Sequence, residues 1–395
     1  MGSRPQYIFR RLNKALPIGL LAAAGFLVMG GMRVMDPLLH VIASDFGTSV
    51  PAVSVIIAAF TLPYGLCQII LGPLGDKLGK LRVIQWALAC FAVTLIGCSL
   101  APSLVTLSIA RALAGAASAA VVPISLAFLA DNVAYADRQV TLSRFLSGVV
   151  LAQVMAGPLG GVVGQYVGWR GVFLVQAVAT SAVVVLLFTR MRGMADPRSA
   201  GATFSARNYL VLARPGLPRM ILLAAFLDGL VLMGAFPFLA PFLREAFDLS
   251  YATVGMTLAA FGLGALIYTK GAARLIPWLG ESRLVLTGAV IMAAAIVAAV
   301  LTPVWQAMIA VQLALGLGFY FLHAVLQARA TEMLPAARGT AVASFALLLF
   351  LGQSVGALAM GALIASFDYR IAFSVDAVAI IMLGGWLSRL LRAAH

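Results

Sequence analysis

Twelve long apolar runs constrain this chain more than any other feature of its sequence. A helix needs about 20 apolar residues to cross a bilayer, and each run, bounded by charged residues or by Pro and Gly, is about that long. Apolar residues make up 63% of the 395 residues and charged residues only 10%. Because hydrocarbon offers the backbone no hydrogen-bond partners, the sequence predicts an all-α integral membrane protein. The predicted spans are residues 16–44, 51–75, 83–101, 104–130, 139–165, 168–190, 219–244, 251–271, 284–302, 305–329, 338–366 and 370–390.

The net charge of +14 sets the predicted topology. Of the 27 lysines and arginines, 22 lie at the ends of the chain or in the connections on the same side of the membrane. The positive-inside rule therefore places both termini in the cytoplasm of a multi-pass plasma-membrane protein, with a bacterial inner membrane favoured. Since the basic residues lie between apolar runs and form no single patch, we expect no nucleic-acid partner.

The first run carries a basic N-terminal flank with Arg4, Arg10, Arg11 and Lys14. It is longer than the core of a signal peptide and lacks a clear small-residue cleavage site, so we expect a retained first span. The sequence has no G-x-x-x-x-G-K-[ST] phosphate loop, no His/Cys cluster and no Ser/His/Asp set outside the apolar runs. We therefore expect no cofactor, no metal site and no enzymatic activity.

A duplicated architecture is predicted by the linker and by an internal match. Residues 191–218 are rich in Pro, Gly and basic residues, which is typical of a surface linker. They divide an N-terminal six-span half, residues 1–190, from a C-terminal half, residues 219–395. Shifting the chain by 200 positions aligns seven pairs, which favours a repeated six-helix unit with a site between the copies. The pairs are Arg138/Arg338, Phe145/Phe345, Gln153/Gln353, Gly161/Gly361, Trp169/Tyr369, Arg170/Arg370 and Phe173/Phe373.

The connection after the second run is the most specific local signal. It reads G-P-L-G-D-K-L-G-K-L-R from Gly72 to Arg82 and resembles the loop signature G-x-L-x-D-x-x-G-(R/K)-(R/K) of the major facilitator superfamily of transporters. The resemblance implies twelve helices in two repeats, and a cytoplasmic gate that holds the halves together in the outward-facing state. The implied gate residues are Gly72, Asp76, Gly79, Lys80 and Arg82, with Asp131 as a partner. A merely solvated basic turn is the alternative.

Three charged residues inside the N-terminal half are the predicted proton-coupling group. Arg111 lies in an R-x-x-x-G sequence that resembles the family motif associated with proton transfer, and a fixed positive charge would lower the proton affinity of a nearby carboxylate. The predicted acid is Asp36, which precedes Pro37 in the first span, a pattern similar to the drug and metabolite efflux branch. Arg33 lies three residues earlier on the same helix face, so a static ion pair remains an alternative.

The fifth run contains Gly157-Pro158-Leu159-Gly160-Gly161. It resembles the G-P-x-x-G-G signature of antiporters in the efflux families, although it is one residue shorter and lacks the glycine four positions before Gly157. Small residues on one helix face allow close helix packing. The resemblance implies an antiporter-like helix motif at Gly157, Pro158 and Gly161.

Polar residues within the C-terminal runs are the predicted lining of a substrate cavity. They are Asp228, Gln312, Tyr320, His323 and Gln353. A carboxylate inside a span needs a partner, which singles out Asp228. His323 is predicted either to contact substrate or protons, or to form an interhelical hydrogen bond.

Together these features predict a secondary transporter that exports a small organic compound in exchange for protons by alternating access. The expected partners are a small-molecule substrate, protons and membrane lipid, and we expect a monomer. Two alternatives stay open: proton-coupled uptake of an anionic metabolite bound by Arg33 and Arg111, and a receptor or scaffold that transports nothing.

Overall fold

The structure, a computed structural model, describes residues 18–133, 135–194 and 206–393. The basic N-terminal flank and the middle of the linker lie outside these residues. Helices form nearly all of the described chain, and no strand occurs within it. The helices are α1 (Ile18–Arg33), α2 (Leu39–Asp45), α3 (Val50–Val53), α4 (Val55–Leu78), α5 (Lys80–Ser99), α6 (Leu104–Ser118), α7 (Val121–Asn132), α8 (Tyr135–Arg190), α9 (Ala206–Ala213), α10 (Leu217–Asp228), α11 (Leu239–Phe247), α12 (Tyr251–Leu301), α13 (Ala307–Glu332), α14 (Arg338–Ser366) and α15 (Tyr369–Ala393).

These helices form twelve crossing segments, as the sequence predicts. Ten described helical stretches are long and apolar enough to span a membrane. Two of them, α8 and α12, each turn back at a glycine with a left-handed backbone, Gly168 (φ 77°) and Gly280 (φ 68°), a conformation that other residues avoid. Each therefore supplies two spans. Numbered along the chain, span 1 is α1–α2, span 2 α3–α4, span 3 α5, span 4 α6–α7, spans 5 and 6 α8, span 7 α10–α11, spans 8 and 9 α12, and spans 10, 11 and 12 α13, α14 and α15.

Spans 1 and 7 are both interrupted at equivalent places. In span 1 the α-helix ends at Arg33 and a 3-10 turn covers Asp36–Leu38. In span 7 a π-helical turn covers Gly229–Met233 and a 3-10 turn covers Phe236–Phe238. Each 3-10 turn contains a proline, which has no N–H to continue the helical hydrogen bonds. Broken helices at membrane depth are found where the backbone lines an interface or cavity within the protein.

The two halves touch along one side of the membrane. We call the face that carries Ile18, Arg190 and Ala393 the terminal face, and the other the opposite face. The identified close contacts between halves lie from mid-depth to the opposite face. They include Gly157 with Gly255, Gly161 with Tyr251, Gly262 with Val154, Gln165 with Ala252, Thr61 with Ser354, Tyr64 and Gly65 with Phe350, Gly361 with Ser54, Arg33 with Met233 and His40 with Glu245.

The terminal half of span 5 is exposed, whereas its opposite half packs against span 8. Toward the opposite face, span 5 packs against span 8 through Gly157 and Gly161. Toward the terminal face, span 5 instead carries a strip of exposed polar residues, which lines an open depression in the surface. The strip consists of Gln139, Ser143, Arg144 and Ser147. The predicted cytoplasmic termini would make the packed opposite face the outer one, as in an inward-facing transporter.

Candidate functional site

A buried charged pair lies where span 1 meets span 7. The guanidinium Nη1 of Arg33 is 3.8 Å from Oδ2 of Asp36, and both side chains are almost fully buried. The other Arg33 nitrogen, Nη2, donates to the sulfur of Met233 in the C-terminal half at 2.8 Å. The guanidinium also lies 4.3 Å from the ring centroid of Phe236. The pair therefore bridges the two halves.

The residues that meet here are related by the internal repeat. Arg33 and Met233 are 200 positions apart, and so are Asp36 and Phe236. The register of the sequence match in spans 5 and 6 thus extends to spans 1 and 7. One copy carries the charges and the other a thioether and an aromatic ring, so the charged chemistry of this contact is supplied by the N-terminal half.

Arg111 lies beside this pair but binds the backbone. It is 1% exposed, and its guanidinium donates to the carbonyl oxygens of Gly31 at 2.8 Å, Met32 at 3.5 Å and Ile56 at 3.5 Å. The ring of Phe60 lies 4.3 Å from the guanidinium carbon. Because α1 ends at Arg33, the carbonyls of its last turn lack their helical partners. Arg111 donates hydrogen bonds to two of these carbonyls and so stabilises the end of α1 within span 1. Its influence on Asp36 stays a prediction.

Asp228 and His323 form a second buried pair in the C-terminal half. The imidazole Nδ1 is 2.7 Å from Oδ2 of Asp228, which is the last residue of α10 before the π-helical turn. The carboxylate side chain is 1% exposed and the imidazole 12%. Phe319 stacks on the imidazole at a centroid distance of 4.7 Å, and Phe345 lies at 5.8 Å. The sequence had singled out both members without indicating that they meet.

The other predicted cavity residues divide into two groups. Tyr320 is partly exposed on the same helix as His323. Gln312 and Gln353 are buried, and neither amide atom of Gln312 has a hydrogen-bond partner among the described residues. Tyr320 and His323 are therefore partly accessible, while Gln312 and Gln353 are buried inside the C-terminal half.

The predicted gate loop lies on the terminal face. Gly79, with φ 100°, ends α4 and turns the chain into α5. Lys80 then reaches Asp131 at the end of span 4, with Nζ 2.6 Å from Oδ2, so the structure brings this predicted pair together. Arg82 is exposed on α5. Gly72 and Asp76 belong to α4, and the structure describes only the helical backbone at these two positions.

The antiporter-like motif forms the contact between spans 5 and 8. A methyl group at Gly157 would come within 2.8 Å of the carbonyl oxygen of Gly255, and one at Gly161 would collide with the carbonyl of Tyr251. Only glycine allows the two backbones to approach this closely. Pro158 lies within the helix, whose only non-helical residue is Gly168. Gly157 and Gly161 therefore close the opposite face.

Sequence reasoning missed the polar contacts at the opposite face. Asp45 accepts a hydrogen bond from Trp169 and pairs with Arg170 within the N-terminal half. The equivalent carboxylate, Glu245, accepts a hydrogen bond from Tyr369 at 3.1 Å and faces His40 of the other half at 3.8 Å. Extending the 200-residue register to Asp45 and Glu245 would have indicated their contacts within each half, with Trp169, Arg170 and Tyr369. It would not have indicated the contact of Glu245 with His40.

Comparisons with known proteins identify the same architecture. The sequence profile of the Major Facilitator Superfamily matches residues 21–219 and 221–394. An uncharacterized MFS-type transporter, YceJ of Bacillus subtilis, is 24% identical over 86% of this chain and 87% of its own length. The multidrug export protein EmrB of Escherichia coli is 23% identical over 44% of this chain and 34% of its own length. A solved bacterial homologue of the human lysosomal transporter Spinster, in an inward-facing and occupied conformation, superposes with a TM-score of 0.76 at 18% identity, covering 100% of this chain and 97% of that one.

Proposed function

Because this chain belongs to the Major Facilitator Superfamily, we propose that it is a proton-coupled exporter of a small organic compound. As a family member it is a multi-pass membrane transporter and not an enzyme. The proposal adds the direction of transport, the proton and the location in a bacterial inner membrane with cytoplasmic termini. The observation that carries it is the Arg33–Asp36 pair, which lies at the contact between the halves.

Alternating access requires the contact between halves to break on one face and form on the other. The contacts of the opposite face are those that must break for the substrate to leave. Among them, the Arg33 contacts with Met233 and Phe236 depend on a buried charge, whereas the His40–Glu245 pair is about two-fifths exposed. A change in the charge of the pair is therefore linked to opening of this face.

The proton acts on that link through Asp36. With the carboxylate ionised, Arg33 has a counter-charge inside the dry interface. A proton on Asp36 removes the counter-charge and leaves a buried unpaired cation, which is strongly unfavourable. Opening the opposite face hydrates Arg33, so proton uptake is expected in the outward-open state and release in the inward-facing state. This order lets the proton gradient drive proton entry and, by exchange, substrate export.

Export is supported further by two similarities. EmrB, to which part of this chain is related, is named as a multidrug export protein. The glycines of span 5 that resemble the antiporter motif pack against span 8 and close the opposite face.

One proton moving down a potential of 100 mV supplies about 2.3 kcal/mol, which is enough for roughly a fifty-fold substrate gradient.

Uptake of an anion is the second candidate, because Nη1 of Arg33 has no hydrogen-bond partner among the described residues. A free donor at the interface could bind a carboxylate or phosphate of a substrate. Under this alternative the substrate and the proton would move in the same direction.

The test is transport by inverted and right-side-out vesicles across a panel of compounds, with and without an imposed pH gradient. We expect proton-driven accumulation in inverted vesicles, and its loss in Asp36→Asn. Asp248→Asn is the matched control, since that carboxylate is 99% exposed. Full proton-driven transport by Asp36→Asn would refute the coupling role, and movement of proton and substrate in the same direction would favour uptake.

A further inference from the structure

The Asp228–His323 pair leaves one ring nitrogen of the histidine available. Nδ1 lies 2.7 Å from the carboxylate oxygen of Asp228, and an ionised carboxylate can only accept hydrogen bonds. Asp228 therefore selects the tautomer with the proton on Nδ1, and in the neutral ring Nε2 is then a hydrogen-bond acceptor. Nε2 has no hydrogen-bond partner among the described residues.

His323 lies on the partly exposed side of span 10, and its side chain is 12% exposed. The partly or fully exposed residues of this part of span 10 are Tyr320, His323, Ala324 and Gln327, which lie at helical spacings of three to four residues. Arg33 of the N-terminal half lies close enough to Tyr320 to interact with it electrostatically. This face of span 10 is therefore directed toward the other half and the space between them.

We propose that His323 Nε2 is the atom for which proton and substrate compete, and that the substrate is an apolar, ring-containing compound that donates one N–H or O–H hydrogen bond. The proposal rests on the exporter function and names its substrate class. A proton on Nε2 occupies the lone pair that would accept the hydrogen bond from the substrate. Protonation of Nε2 and binding of the substrate therefore exclude each other. No bond of the substrate is made or broken: release of the substrate frees the Nε2 lone pair for a proton, while Asp36 remains the group whose charge controls opening of the opposite face.

The surroundings of His323 fit an apolar ring better than a strongly charged ligand. Phe319 and Phe345 pack against the imidazole, and Tyr268 of span 8 lies 6.2 Å from the ring of Tyr320. The ionisable groups that face this region are Asp228 from span 7, Tyr320 from the same helix, Tyr268 from span 8 and Arg33 with Asp36 across the interface. Phe345 from span 11 is apolar. The carboxylate of Asp228 is shielded behind the imidazole, so the accessible polar atom is a neutral acceptor.

The test is ¹⁵N NMR of histidine-labelled full-length protein in nanodiscs. The chain has 3 histidines, so His40→Asn and His323→Asn variants assign the signals. At a pH where Nε2 is deprotonated, we expect the Nδ1–H tautomer at His323. Addition of 2-naphthol is expected to shift the Nε2 signal toward its protonated value, whereas 2-methoxynaphthalene, which has a similar ring but no donor, leaves it in place. Acid that protonates Nε2 is expected to weaken 2-naphthol binding at least ten-fold.

Three results would overturn the proposal: a proton on Nε2 with Nδ1 bare, equal responses to the two naphthalenes, or no response to either. Asp228→Asn removes the ionised acceptor that selects the tautomer and is expected to weaken 2-naphthol binding about ten-fold. Asp36→Asn separates this proposal from the exporter function, because it is expected to abolish coupling while leaving the equilibrium response of His323 intact. A normal response in a protein that moves no protons would refute only the coupling.

Discussion

The two halves share one scaffold but carry different chemistry at equivalent positions. In the N-terminal half the charged residues lie on spans 1 and 4, at Arg33, Asp36 and Arg111. The positions 200 residues later are Met233, Phe236 and Val311, which are all apolar. In the C-terminal half the ionisable pair is Asp228–His323, whose N-terminal equivalents are Val28 and Pro123.

This division indicates two separate tasks on one repeated fold. The N-terminal charges touch the other half directly through Met233 and Phe236, which suits control of opening. The C-terminal pair is contained within its own half, and its imidazole is partly exposed, which suits binding of a ligand. If the tasks are separate, substitutions in one pair should affect one property and leave the other.

The largest expected effect comes from the contact that both tasks need. Gly161→Leu places a side chain against the carbonyl of Tyr251 in span 8, so the opposite face cannot close. We expect at least a ten-fold loss of transport. Because the halves are held apart on the opposite face, single cysteines introduced there are expected to react faster with a thiol label. Gly385→Leu is the control, because a methyl group at Gly385 meets nothing within 4 Å. Equal losses in both variants would show a general folding defect.

The second effect separates Arg111 from Arg33. Arg111→Met removes donors from three buried carbonyls, and each unsatisfied group costs about 1–3 kcal/mol. We expect Arg111→Met to lower the thermal midpoint of detergent-solubilised protein by more than Arg33→Met does. Arg33→Met should instead change the pH dependence of transport with a smaller loss of stability. The reverse order would place the structural role on Arg33.

A smaller effect is expected at His40 and Glu245. The pair joins the halves at 3.8 Å, and both side chains are about two-fifths exposed, so their coupling energy is expected to be below about 1 kcal/mol. A double-mutant cycle of His40→Gln and Glu245→Gln on the population of the open opposite face measures it. A coupling of several kcal/mol would make this pair, rather than Arg33–Asp36, the main contact between halves.

The smallest effect is expected at the gate loop. Lys80–Asp131 joins spans 3 and 4 within one half, and the Asp131 side chain is 43% exposed. In the inward-facing state, Asp131→Asn should lower stability by no more than about 1 kcal/mol. The thermal midpoint of the purified protein measures this change. A drop in the midpoint that corresponds to more than about 1 kcal/mol would show that the Lys80–Asp131 pair stabilises the inward-facing state.

The fold was predictable because the membrane limits the choices. Run lengths predicted the twelve spans, and the 22 basic residues on one side predict an orientation that stays a prediction. Individual side-chain partners were not predictable in the same way. Arg111 was expected to act on a carboxylate, yet it binds carbonyls that become available only because α1 ends at Arg33. Likewise, the match of Asp228 with His323 depends on the packing of spans 7 and 10, which neither periodicity nor motif reveals.

The central claim is that the charge of Asp36 controls opening of the opposite face. The direct measurement is the distance between spin labels at Thr48 and Phe367, both exposed on that face, as a function of pH in a variant whose 3 cysteines are replaced. We predict that acid increases the open population in the parent protein and that Asp36→Asn removes most of this pH dependence. An unchanged pH dependence in Asp36→Asn would contradict the account.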